Sequence, residues 1–77
     1  MEKMFIWDEV IGEIFIDEIG TTNFNSAIKE GMKRWDEMPT ADKKRRIRYE
    51  VCSGEFDEEG ELDFDTVDVL FTIKGDE

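Results

Sequence analysis

The chain has 77 residues, 21 of them acidic and 10 basic, with no histidine and a net charge of −11. That length allows one domain, residues 1–77, and 39% apolar with 12% aromatic residues is too rich for a disordered acidic tail. Composition also excludes a membrane helix, since no apolar run nears the ~20 residues a span needs, and free binding to DNA or anionic membrane, which the summed field would repel. The opening Met1-Glu2-Lys3-Met4 does not read as a secretory signal, and Cys52 alone cannot close an internal disulfide. A reducing, cytoplasmic setting is therefore expected.

Charge is unevenly spread. Residues 1–28 carry −5, residues 29–48 carry +4 and residues 49–77 carry −10. In chain order, Met4–Trp7 and Glu13–Ile16 are apolar enough for strands. Gly12 marks either a turn between them or a bulge in one long strand, and the hairpin is preferred. Asn23 is a good N-cap, and Phe24, Ala27, Ile28, Met32 and Trp35 recur at helical spacing, which predicts a helix over 24–37. Gly31 falls on its apolar side, and Pro39 ends it. Thr40 to Arg45 reads as a capped helical turn. Arg46–Cys52 alternates Ile47, Tyr49 and Val51 against Arg48, Glu50 and Cys52, a half-buried strand.

A last strand, Val67–Ile73, sets Val67, Val69, Phe71 and Ile73 against Asp68, Leu70 and Thr72. Between these two strands lies an acidic connection, Glu55–Asp65, turning at Gly60. The expected fold is α+β, β-β-α-β-β: a two-layer sandwich with one main helix on an antiparallel sheet of three or four strands. Its core is expected to hold Phe24, Ala27, Ile28, Met32, Trp35, Ile47, Tyr49, Val51, Val67, Val69, Phe71 and Ile73.

Chemistry-bearing patterns are scarce. Aligned on Gly60, Glu55, Asp57, Glu59 and Asp63 fall at calcium-loop positions, but Thr66 stands where the bidentate glutamate belongs and the flanks read as strands. Adjacent carboxylates such as Asp8–Glu9 and Asp17–Glu18 point to opposite faces of a strand. Cys52 has neither a histidine nor a second cysteine to work with. No enzymatic activity, metal or cofactor is expected. The basic run Lys43 to Arg48 sits in a chain of opposite sign and suits the end of a short helix or cross-strand ion pairs.

The remaining feature is the acidic segment. Glu55, Asp57, Glu58, Glu59, Glu61, Asp63, Asp65 and Asp68 are interleaved with Phe56, Leu62 and Phe64. Acids on alternate residues of an extended chain repeat at about 6–7 Å, so two staggered rows can approach duplex DNA, with its charge every ~1.7 Å. High surface charge also simply keeps a small domain soluble. As a binding surface, Glu55, Phe56, Asp57, Glu58, Glu59, Glu61, Asp63, Phe64, Asp65 and Asp68 would face a protein partner with a cationic nucleic-acid-binding groove.

The helix opening Asn23-Phe-Asn-Ser-Ala-Ile, Trp35, the Pro39-Thr-Ala-Asp-Lys-Lys turn and Gly60 followed by Phe64-Asp-Thr resemble very short proteins encoded by phages and mobile elements of Gram-positive gut bacteria. The likeness spans residues 13–73. In that setting small acidic α+β proteins are similar in style to anti-CRISPR inhibitors, several of which mimic DNA. The resemblance implies an inhibitor acting in the bacterial host cytoplasm, and it transfers no individual residue's role. The alternative is a structural module that homodimerises through its sheet.

Overall fold

The computed structural model describes residues 1–75; Asp76 and Glu77, counted in the C-terminal charge, lie outside the described residues. Six elements follow one another: β1 (Glu2–Val10), β2 (Glu13–Ile19), α1 (Phe24–Asp36), α2 (Thr40–Arg45), β3 (Arg46–Phe56) and β4 (Leu62–Lys74). The strands form one antiparallel sheet in the order β2-β1-β3-β4. The α+β class with one main helix stands. The element order is β-β-α-α-β-β, because Pro39 enters with φ −59° and its carbonyl accepts from the Lys43 amide at 3.0 Å, closing a six-residue helix.

The hairpin reading of the first two strands holds, with a two-residue turn in which Gly12 takes φ +86°. β1 reaches further than its apolar core suggests and is a central strand, between β2 and β3. Its adjacent residues Phe5 and Ile6 are both 0% exposed, so the sheet is buried on both faces at this point. Neither residue was expected in the core, although an uninterrupted apolar run is what a doubly covered strand produces.

One face is packed by α1. Asn23 caps the helix as expected, its Oδ1 accepting from the Ser26 amide at 2.9 Å. Ala27 and Gly31 are buried at the helix–sheet contact, and Trp35 packs beyond them at 5.2 Å from the Tyr49 ring. The contact line follows the smallest residues, since they let helix and sheet come closest. Phe24 and Met32, expected in the core, are left on the flank at 47% and 41% exposed. Ile6, Ile19, Ala27, Tyr49 and Val51 make the buried cluster, with Met4, Trp35, Met38, Leu70 and Ile73 against it.

The opposite face has its own cluster: buried Phe5, Cys52 and Phe56, flanked by Trp7, Ile16, Leu62 and Val67. A helix on a sheet therefore accounts for only one of the two cores. The second is built on the outer face by regular pairs, Phe5 with Cys52 and Phe56 with Leu62, to which the irregular β4 adds Val67. The register of β4 against β3 shifts between Tyr49 and Glu50, between Val51 and Cys52, and between Ser53 and Glu55. Each shift breaks the period-two alternation. Leu70 and Ile73, three residues apart, thus both reach the helix-side core, while Val67 joins the other cluster. Val69 and Phe71, expected inside, are exposed. The Glu55–Asp65 segment expected as a connection is mostly strand, with the turn confined to Asp57–Glu61.

Candidate functional site: the acidic β3–β4 hairpin

The tip of the hairpin is built by Asp57. Its Oδ1 accepts from the amides of Glu59 and Glu61, both at 2.9 Å. Its backbone amide donates to the Glu61 carbonyl at 2.9 Å, and its carbonyl accepts from the Gly60 amide at 3.0 Å. Gly60 sits at φ +83°, the left-handed conformation glycine adopts without strain. Asp57, one of the carboxylates at calcium-loop positions, is thus occupied in holding the turn. Among the described residues no group of three or more potential ligands is arranged for a metal ion.

Beyond the tip the chain arches. β4 takes five steps from Asp63 to Asp68 where β3 takes two from Glu55 to Ser53. The Thr66 hydroxyl ties the arch down, donating to the Asp63 carbonyl at 2.6 Å and accepting from the Glu55 amide at 2.8 Å. Asp63 Oδ1 accepts from the Asp65 amide at 3.1 Å. The extra length carries Phe64 over the outer face, where its ring meets Trp7 edge-to-face at 5.8 Å. Gly54 makes room below: a Cβ there would lie 2.7 Å from Leu62 Cδ1 and 3.4 Å from Phe5 Cε1.

All eight acids of the segment, Glu55, Asp57, Glu58, Glu59, Glu61, Asp63, Asp65 and Asp68, are exposed, and so is Phe64. Phe56 is not. It is buried with its ring 5.7 Å from Phe5, and its backbone exchanges two hydrogen bonds with Met1. It anchors the hairpin to the core and has no surface to offer a partner, contrary to the expectation for it. Trp7 and Thr66 were missed as contributors. Trp7 ends an apolar run and could have been suspected; nothing in the sequence marks the Thr66 hydroxyl as a tie.

The basic residues that make side-chain ion pairs serve other acids. Arg46 holds Asp8 through two hydrogen bonds, 2.9 and 3.3 Å, on the helix side of the sheet. Arg48 holds Glu50 on the outer face, reaches Glu9 at 3.8 Å and lies 5.0 Å over Trp7. The buried Glu50 carboxylate also accepts from Thr72 Oγ1 at 3.0 Å. Arg34 pairs with Glu30 and Lys3 with Glu18. Arg34 holds the Glu30 carboxyl below its ordinary range, chiefly through their hydrogen bond. Among the described residues, the only ion pair made by the eight hairpin acids is Glu55 with the α-amino group of Met1, at 3.3 Å.

Topology separates the charges further. β3 begins at α2, with Lys43, Lys44 and Arg45, and ends at the acidic tip. Its 11 residues span roughly 35 Å, close to the long dimension of the molecule, 36 Å. Basic and acidic poles therefore face opposite ways. Within the acidic pole Glu55 stands directly opposite Asp63, a like-charged cross-strand pair that costs stability. Cys52 is fully buried, its thiol pushed up to about 12 by desolvation and then by Glu50. It is no nucleophile at neutral pH.

Compared with known proteins, the chain matches no family model, no curated protein and no solved structure.

Proposed function

We propose that this protein is a non-enzymatic binding protein whose acidic hairpin enters the cationic groove of a nucleic-acid-processing protein and blocks it by standing in for phosphate charge. One observation carries the reading: among the described residues, eight exposed acids in a stiffened hairpin lack any side-chain cation, while Lys3, Arg34, Arg46 and Arg48 are paired with acids elsewhere. Solubility alone would be served by dispersed acids. It would not require a like-charged pair across a ladder, such as Glu55 opposite Asp63, and local rules broken in this way tend to mark functional surfaces. Phe64, exposed beside the acids and braced on Trp7, supplies an apolar anchor inside the charged rim. The resemblance to acidic mobile-element inhibitors points the same way, toward a CRISPR-type target in the bacterial cytoplasm, and no cofactor is called for.

Charge reversal tests it. Glu59→Lys with Asp63→Lys removes acids that make no ion pair, and relief of the repulsion opposite Glu55 offsets the lost Asp63–Asp65 hydrogen bond, so the melting temperature should hardly fall. Association with the cationic partner should slow by roughly tenfold or more, because steering depends on the field. Reversing Lys43 and Lys44 to Glu, at the other pole, should do less. Unchanged binding after the acid reversals, with loss after the basic ones, would remove the proposal.

A further inference from the structure

We propose that the free edge of β2 is a strand-addition site for an extended protein segment in which Lys or Arg alternates with apolar residues. The inference is independent of the hairpin reading, since it concerns the other edge of the sheet. The two edges differ. β4 is shifted three times against β3, which blunts it as a template. β2 runs from Glu13 to Ile19 against β1 with no register shift.

Because a two-residue turn joins them, Val10 and Glu13 form the closing hydrogen-bonded pair, and parity then aims the amides and carbonyls of Ile14, Ile16 and Glu18 away from β1. Among the described residues no strand lies beyond β2 to meet them. The edge carries no lysine, proline or bulge; its protection of the usual kind is the negative charge of Glu13, Asp17 and Glu18. Both of its faces show apolar side chains, Ile14 48% and Phe15 44% exposed. Ile14 and Ile16 share the outer face with Trp7, which carries Phe64. An added strand would thus find a continuous apolar floor.

Charge decides what occupies it. β2 carries Glu13, Asp17 and Glu18, and among the described residues only Glu18 is in an ion pair, with Lys3 at 3.1 Å. A second copy would bring three more acids to the seam and another net −11 behind them. On a strand with Lys or Arg at alternate positions, the cations would pair with Glu13 and Asp17 on the helix-side face, flanking Phe15, while the apolar residues cover Ile14 and Ile16 on the outer one.

The probe is a synthetic peptide alternating Lys and Arg with Val and Ile over roughly the length of β2, titrated into the full isotope-labelled chain and followed by amide NMR and hydrogen exchange. Saturable shifts centred on Ile14, Ile16 and Glu18 are expected, with exchange of those amides slowed by roughly tenfold or more at saturation. Two variants at exposed positions, Ile14→Lys and Phe15→Lys, should each weaken binding by roughly tenfold while the spectrum of the rest of the fold persists. Equal binding of a peptide interrupted by central prolines would overturn the proposal. So would shifts confined to residues 57–65, undiminished binding by both variants, or a dimer of the chain alone in which those amides are already protected.

Discussion

Gly31→Ala probes the contact on which the helix-side core depends. A methyl at position 31 would lie 2.6 Å from Val51 Cγ2, 3.2 Å from Ile6 Cδ1 and 3.3 Å from Ile73 Cδ1. Ordinary carbon contacts are at about 3.5–4.0 Å, so Val51 would have to retreat by about 1 Å. It is β-branched and fully buried, with little freedom to turn away. Overpacking of this kind costs about 1–3 kcal/mol, and replacing a helix-interior glycine returns about 1 kcal/mol. The expected net loss is about 1 kcal/mol, a fall of roughly 4–8 °C in melting temperature for a domain of this size. Thermal and urea unfolding followed by far-ultraviolet circular dichroism would measure it. Adding Val51→Ala should be less harmful in the Gly31→Ala background than in the native one, with a coupling of about 1 kcal/mol, because the new methyl fills part of the space. A rise in melting temperature on Gly31→Ala, or strictly additive losses in the double variant, would refute the helix register.

Two further predictions concern the hairpin and the buried thiol. Asp57→Ala should destabilise by about 1–2 kcal/mol, since two amides lose their acceptor, whereas Asp57→Asn keeps the carbonyl oxygen and most of the stability; equal losses by urea unfolding would show that charge, not turn geometry, matters there. Cys52 is pushed up from 9.0 to about 12 and Tyr49 is also raised, both chiefly by burial. Raised folded values make this contribution complete below the unfolded thiol's pKa and lost as pH rises through the folded one, so stability should decline between pH 9 and about 12. Thiol labelling at mildly alkaline pH should correspondingly await unfolding, and rapid labelling of the native chain would contradict the burial.

What could be read from the sequence was mostly local. Asn23 announces the helix start, Gly12 the hairpin turn, and the Tyr49/Val51 alternation the helix-facing side of β3, and each is found in the structure. The helix stripe was legible in kind but displaced in detail: hydrophobic spacing favours Phe24 and Met32, whereas close approach follows Ala27 and Gly31. β4 could not be read correctly by alternation, because its register depends on shifts against β3 that no local pattern encodes. That is why Val69 and Phe71 moved to the surface and Leu70 to the core. For the same reason Phe56, in sequence one aromatic among many acids, belongs to the second core. The acids were legible as a segment; that they lack side-chain cations depends on which carboxylates the sheet brings beside Arg46, Arg48 and Lys3.

Competition with nucleic acid tests the central claim most directly. A cationic nucleic-acid-binding protein that retains this chain would be mixed with labelled duplex DNA and increasing amounts of the chain, and bound DNA followed by fluorescence anisotropy. If the hairpin occupies the groove that holds phosphates, binding is mutually exclusive. DNA should be displaced in proportion to the chain added, and Glu59→Lys with Asp63→Lys should lose most of that effect. A ternary complex holding both DNA and the chain, or displacement undiminished by the reversals, would contradict the claim.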